Sequence, residues 1–452
     1  MAESAKALLI LILTGLVSAC QAGPTPATPV LKPVLQPLQM VAGLDSDALA
    51  GQLRQEGIQL QALLPQKRLF TLQAPSQEWA RRLAARPGVR FVEAVASYHL
   101  PAHENLAPPG PDFQLLDFRP DDPEYRFQWN MRSIGMEKAW ELTRSAAEVT
   151  VAVIDSGVDP DHPELATYLL PLEDIWGEFA GSDRLANRLT GDVIDYAGRD
   201  GNGHGTHVTG VIAAVLNNGE GVAGIAGGGV KVLPIKVTNL TGATNSVLLV
   251  AGLRRAIDRG AQVINMSIGA ISAAEQVNSQ ALTEAVQLAH ARGIVVVAAS
   301  GNESQRASGQ ISGVTVPAAY ADVIAVGACN EAGGVADYSN GGPEVDLLAP
   351  GGDSDNLVLS TWPTYPTLEN LQRRVRSLDY AMASGTSMAS PHVSAVAALL
   401  LAREPQLSPE QVRARLVATA EDVGQPGYDE DSGYGRLNAF KALQASGDDA
   451  RF

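Results

Sequence analysis

Three short segments carry side chains suited to nucleophilic chemistry. The first, Gly385-Thr386-Ser387-Met388-Ala389-Ser390-Pro391-His392, runs into a strongly apolar stretch that continues to about Ala402. A serine at a helix start is commonly only an N-cap. Here the run continues into a helix apolar enough to be buried, and Pro391 falls in its first turns, where a missing N–H costs little. A nucleophilic hydroxyl so placed gains from the positive end of the helix dipole as an oxyanion develops. The second segment, Gly203-His204-Gly205-Thr206-His207-Val208-Thr209-Gly210, precedes the apolar run VIAAVL. Its glycines permit a sharp turn that lets a histidine at the helix start face a cleft. His204 and His207 are three apart with no glutamate between them, so the zinc-protease pattern fails. The plain alternative is one capping and one packed histidine. The third segment, Val151-Ala152-Val153-Ile154-Asp155-Ser156-Gly157, is an apolar strand ending in an aspartate that, alone, reads as an ordinary turn residue. The serine is not in a Gly-x-Ser-x-Gly elbow, and the order Asp…His…Ser differs from that of the α/β-hydrolases, which disfavours a lipase or esterase.

The elements that position these residues alternate. Strand-like apolar runs at Val149–Ile154, Lys231–Val237, Gln262–Ile268, Ile294–Ala298 and Val323–Val326 are interleaved with helical stretches at about 246–259 and 278–291. Near-continuous apolar strands separated by helices predict a parallel sheet covered on both faces. Ligands in such sheets bind beyond the carboxyl ends of the strands, and all three segments follow strands or open helices there. Upstream, residues 38–100 read as a small α/β unit in which the amphipathic stretches DALAGQLRQEG and SQEWARRLAARPG alternate with short runs at Leu69–Leu72 and Val89–Val95. Pro-rich linkers lie on either side of it, over 21–37 and 101–119. The remainder, 120–452, is one long domain.

With 452 residues, 45% hydrophobic and 18% charged, the chain has ample material for a large core and the length of a processed precursor. A formal net charge of −16 argues against nucleic-acid binding, which needs a cationic surface; an acidic surface kept for solubility is the plain reading. Two cysteines, Cys20 and Cys329, exclude a disulfide framework. Cys329 lies in a strand-like run and reads as a small buried hydrophobe. Residues 1–20 read as a signal peptide: Lys6 precedes an apolar run from Ala7 to Val17, too short to span a membrane. The run ends in Val17-Ser18-Ala19-Cys20, which resembles the lipobox of bacterial lipoproteins, where the cysteine is lipidated and tethers the mature protein to a membrane. Cleavage near Ala19 or Ala22 is the alternative, and both imply export.

Taken together, VAVIDSG, NGHGTHVTG and GTSMASPHVSAVAALL resemble the three signature blocks of the subtilisin-like serine proteases, in that family's order. Ala298-Ala299-Ser300-Gly301-Asn302 resembles the family's oxyanion-hole loop, and Val263-Ile264-Asn265-Met266-Ser267-Ile268-Gly269 the strand that pairs with substrate. The likeness covers roughly residues 120–440.

The resemblance implies a three-layer α/β subtilisin-like fold with a mostly parallel sheet, preceded by a small α+β pro-domain. It implies an endopeptidase acting on protein or peptide substrates, with Ser387 as nucleophile, His204 as general base and Asp155 orienting the histidine. Asn302 and the Ser387 N–H would hold the oxyanion. Ser267, Ile268 and Gly269 would offer a strand edge to extended peptide, while Ala299 and Gly301 would wall the primary pocket. Thr315 aligns with its base, where glycine is familiar, so a shallower pocket is expected. Residues 38–100 occupy the place of the inhibitory pro-domain. Cleavage after Leu100 would leave Pro101, a poor residue there, just beyond the cut; the Pro-rich stretch to about Pro120 is the alternative. Structural calcium is implied through Asn218, with Glu164 where the family has an aspartate; Asp195, Asp200 and Asn202 form a second candidate cluster. No organic cofactor is implied. A silent scaffold and a narrow processing enzyme are the rival readings; the insertions at Glu173–Gly191 and Leu357–Tyr380, read as surface loops, would suit the latter. Ser408-Pro409-Glu410-Gln411 reads as a helix start with a capping box.

Overall fold

The computed structural model describes residues 38–100, 118–144, 146, 148–180, 184–186, 193–269, 279–372, 375 and 377–445. The expected leader with Cys20, the expected first linker, and Pro101 with most of the expected second linker lie outside them.

Seven parallel strands form the main sheet. From one edge their order is Val345–Pro350, Ile324–Cys329, Val295–Ala299, Val263–Met266, Thr150–Asp155, Lys231–Lys236 and Glu173–Asp174. Side chains alternate across a strand, and both faces here are apolar. Val151 and Val153 enter one core with Val208, Val211, Met388 and Val393, whereas Ala152 and Ile154 enter another with Leu249, Leu253, Leu282 and Val286. The first core holds the helices His204–Ala213 and Thr386–Arg403, packed against one another; the second holds Ser246–Asp258 and Gln280–Ala291. Burial on both faces is why these strands read as continuous apolar runs.

Residues 38–94 form a four-stranded antiparallel sheet, ordered Gln61–Leu64, Leu69–Ala74, Leu38–Leu44 and Val89–Ala94. One face packs Met40, Ala42, Phe70 and Leu72 against Ala50 and Leu53 of helix Asp47–Gln55 and Ala80 and Leu83 of helix Gln77–Ala84. The alternate residue, Val41, joins Leu63, Leu64 and Leu69 in the core of helix Ser246–Asp258. The N-terminal sheet therefore buries both faces, one under its own helices and one on the large domain. Glu93 fixes the contact by accepting hydrogen bonds from Ser279 Oγ (2.8 Å), Gln280 N (2.9 Å) and Ala281 N (3.1 Å), the free donors of a helix N-terminus.

The insertions are built differently from the loops expected. Val358–Thr361 pairs antiparallel with Tyr380–Ala383, and Trp362, at the base of the intervening tip, is 1% exposed. Within the earlier insertion, Ile175–Ala180 is helical. The predicted capping box is present: Ser408 Oγ accepts from Gln411 N (3.3 Å) and Gln411 Oε1 accepts from Ser408 N (2.8 Å). Cys329 is fully buried, and burial pushes its thiol pKa up to about 12.

Candidate active site

Asp155 ends the Thr150–Asp155 strand beneath the protein surface, and its Oδ1 lies 2.7 Å from His204 Nδ1. The Ser156 N–H also donates to Oδ1 (2.7 Å), which holds the carboxylate in place. His204 opens its helix immediately after Gly203, whose φ of 106° favours glycine. A Cβ on Gly203 would lie 2.1 Å from Trp362 Cζ2, so the hairpin insertion packs directly behind the histidine turn.

Asp200 holds that turn together. Its Oδ1 accepts from Ser156 Oγ (2.9 Å), Asn202 N (3.0 Å) and Gly203 N (2.8 Å); its Oδ2 accepts from Thr206 N (2.9 Å) and Thr206 Oγ1 (2.7 Å). Ser156 Oγ in turn accepts from Gly205 N (2.9 Å). The carboxylate thus ties the end of the Asp155 strand to the start of the His204 helix. With donors on both oxygens, Asp200 does not fit a calcium ion. Asn202 is likewise engaged, donating to Leu240 O (2.9 Å) and accepting from His204 N (3.2 Å). His207 is a packed residue: Nε2 donates to Val358 O (3.1 Å), and burial drives its pKa down to about 3.

Ser387 lies in the first turn of its helix, after Gly385 with φ 147°. Pro391 has no N–H to reach the Ser387 carbonyl four residues back. Ser267 Oγ fills that vacancy, donating to Ser387 O at 2.9 Å, while Ser387 Oγ donates to Ser267 O at 3.2 Å. Ser267 Oγ also lies 2.8 Å from Ser390 Oγ and accepts from Asn265 Nδ2 (3.0 Å), so its side chain faces the helix. Ile268 is fully buried in the core. What this strand could offer a ligand is therefore its main chain.

Asn302 Oδ1 accepts from Thr386 N (2.9 Å) and Thr386 Oγ1 (2.8 Å). That contact turns the amide so that Nδ2 lies beside Gly385, 3.1 Å from where a Cβ would stand. Asp200, Ser156 and Thr386 were not given these roles in the sequence reading. Thr386 lies beside the serine in a segment already singled out, but its partner, Asn302, is 84 residues away. Thr315 lies between Gly269 and Gly301: its Oγ1 is 2.5 Å from a Cβ built on Gly269 and its Cγ2 is 2.9 Å from one built on Gly301. Glu303 accepts from Asn302 N (3.0 Å) and Asn340 Nδ2 (2.6 Å), and burial raises its pKa.

The first predicted metal position, Asn218 with Glu164, also fails the fit. Glu164 is buried; its Oε1 accepts from Val222 N and Tyr380 Oη, both at 3.1 Å, and its Oε2 accepts from Asn218 Nδ2 (3.2 Å). Asn218 Oδ1 accepts from Glu220 N (2.9 Å). Calcium needs six to eight oxygens facing one point, whereas here donors face the carboxylate. Among the described residues no cluster of three or more His, Cys, Asp or Glu could hold a metal. We expect any calcium dependence of the melting temperature to be the same in wild type and Glu164→Gln, and Tyr380→Phe to cost roughly 1–3 kcal/mol, the range for a buried acceptor losing a donor. A calcium response lost specifically in Glu164→Gln would assign the ion to this loop.

A buried Asp–His pair and a serine at a helix N-terminus, on a parallel α/β sheet, are the groups that a hydrolase of the Asp-His-Ser type uses. The comparisons narrow this. The Subtilase family model matches residues 146–435, and the chain belongs to the subtilase family of serine endopeptidases. It is 39% identical over 298 residues to subtilisin DY of Bacillus licheniformis, covering 66% of this chain and 92% of that one. It is 32% identical over 366 residues to minor extracellular protease Epr of Bacillus subtilis, covering 81% of this chain but 48% of that protein, so it spans about half of Epr's length. Among solved structures, fervidolysin from Fervidobacterium pennivorans, described as a keratinolytic enzyme related to subtilisin, matches with a TM-score of 0.72 and 27% identity over 91% of this chain and 61% of that one.

Proposed function

We propose that the chain is an exported endopeptidase that cuts extended protein segments through a Ser387 acyl-enzyme and is kept latent by residues 38–100 until they are removed. One observation carries this reading. Ser97–His99 runs antiparallel to Ala243–Asn245 on one side, while on the other His99 N donates to Gly269 O (3.2 Å) and Gly269 N to His99 O (3.4 Å). The segment leaving the N-terminal unit thus adds as a strand between two open edges, as a substrate peptide would, and Ser387 Oγ donates to the carbonyl of Ser267, two residues before Gly269.

In the proposed reaction Ser387 Oγ attacks the peptide carbonyl while His204 Nε2 takes its proton. The imidazolium is stabilised by Asp155 and then protonates the departing amine; water repeats the sequence to release the acid. Asn302 Nδ2 and the Ser387 N–H receive the oxyanion, and Thr386 keeps the amide in that orientation. Subtilisin itself loses about 10²–10³ in turnover without the side-chain donor. We carry that figure over to Asn302→Ala, to be read as kcat with little change in KM. Structural calcium, if the family's requirement holds here, is bound by residues other than Glu164 and Asp200. A lipid on Cys20 would tether the exported enzyme to a membrane surface; among the described residues no helix is long and apolar enough to cross one.

Thr315 restricts the primary pocket, so small residues are expected before the cut. Digestion of unfolded casein with the cuts mapped by mass spectrometry tests both points. A general degrader gives many cuts, mostly after small residues, and Thr315→Gly extends them to large apolar ones. A handful of cuts at one sequence would favour the dedicated processing enzyme, and none would favour the silent scaffold.

A further inference from the structure

One buried polar side chain beside the site has no part in the proposed reaction. Asn340 lies in the connection between the strands Ile324–Cys329 and Val345–Pro350 and is 0% exposed. Burying an amide is costly unless its two N–H groups and its oxygen find partners, and here all of them do. Asn340 Nδ2 donates to Glu303 Oε2 (2.6 Å) and Gly313 O (3.0 Å), and Oδ1 accepts from Glu303 N (2.9 Å) and Ser304 Oγ (3.2 Å). The main chain adds a further contact, Asn340 N donating to Gly301 O (3.1 Å).

These contacts close around Asn302. Gly301 before it is held by the Asn340 N–H, and Glu303 after it by the Asn340 amide. The Asn302 N–H is caught in the same clasp, since it donates to the Glu303 Oε2 that Asn340 fixes (3.0 Å). Gly301 has φ 113°, and a Cβ there would stand 2.4 Å from Asn340 Nδ2, so the clasp requires glycine both for its backbone conformation and for its close approach. Thr386 sets the rotation of the Asn302 amide through Oδ1, while the clasp sets where the main chain that carries the amide stands. An oxyanion donor acts only from hydrogen-bond distance of the place where the charge develops, so both restraints bear on the reaction.

We propose that Asn340 is a positioning residue for Asn302: it holds the main chain on both sides of that residue and governs turnover through the Asn302 side chain. The inference rests on the reading of Asn302 as the oxyanion donor. Asn340 touches neither substrate nor the reacting atoms in this role, and its effect vanishes when the amide it positions is absent.

The test makes Asn340→Asp in wild type and in Asn302→Ala, with mature enzyme obtained from the full chain and acetyl-Ala-Ala-Ala-p-nitroanilide as substrate. The change keeps the size of the side chain but puts a carboxylate oxygen where Glu303 Oε2 and Gly313 O each need a donor. In wild type the expected loss is roughly 10- to 100-fold in kcat, the scale of a misplaced catalytic group, with KM little changed. In Asn302→Ala the same substitution adds little, because two residues that act through one another do not contribute additively. Equal losses in both backgrounds overturn the inference, since a role in the core alone operates whether or not Asn302 is present. A raised KM at unchanged kcat overturns it as well and assigns Asn340 to the pocket wall. If Asn302→Ala itself leaves kcat unchanged, the reading of Asn302 falls and the inference falls with it. Asn340→Ala, measured in the same two backgrounds, decides the matter by the same outcomes if Asn340→Asp does not fold.

Discussion

Ser387→Ala and His204→Ala are each expected to abolish nearly all turnover, with the double variant no worse than either. In the proposed roles the nucleophile and base act as one unit: without Oγ there is nothing for the imidazole to deprotonate, and without the imidazole the hydroxyl stays a weak nucleophile. In subtilisin, a member of this family, each such loss costs about 10⁶ in kcat, and we carry that figure over. Casein hydrolysis measured on matched amounts of folded protein checks it. Additive losses would show that the two side chains contribute independently, contrary to the proposed roles.

Asp155→Asn is expected to cost about 10⁴ in kcat, with the fold intact. Asp155 Oδ1 lies 2.7 Å from His204 Nδ1, and both side chains are fully buried. A carboxylate only accepts hydrogen bonds, so it keeps the proton on Nδ1 and leaves Nε2 as the acceptor. An amide turned to donate would reverse the tautomer and place a proton on Nε2, where it blocks removal of the Ser387 proton. The loss should therefore appear in kcat with the melting temperature little changed. A variant within tenfold of wild type would show that Asp155 does not set the tautomer.

What was legible in the sequence follows from how local each signal is. Asp155, His204 and Ser387 each sit in a segment whose neighbours prepare the position: an apolar strand before the aspartate, glycines before the histidine, a buried helix after the serine. The sheet was legible for the same reason, because strands buried on both faces carry uninterrupted apolar runs. The metal positions were not. Glu164 reads as a ligand beside Asn218, but its Oε1 is taken by Tyr380 from 216 residues away. Likewise, Asp200 reads as one carboxylate in a polar loop until folding brings Ser156 to its Oδ1. The stretch Leu357–Tyr380 shows no period, yet Trp362 finds its burial against Gly203, a contact no local pattern encodes. Side chains satisfied by partners far along the chain are where sequence reasoning fell short.

In the proposed mechanism the N-terminal unit keeps the enzyme latent until its own serine removes it. The intact mass of the protein expressed without residues 1–20, beside its Ser387→Ala variant, tests it most directly. Wild type is expected to lose roughly its first hundred residues, while the variant, lacking the nucleophile that makes the cut, keeps its full length. Identical trimming of both would assign the cut to another protease and contradict self-processing.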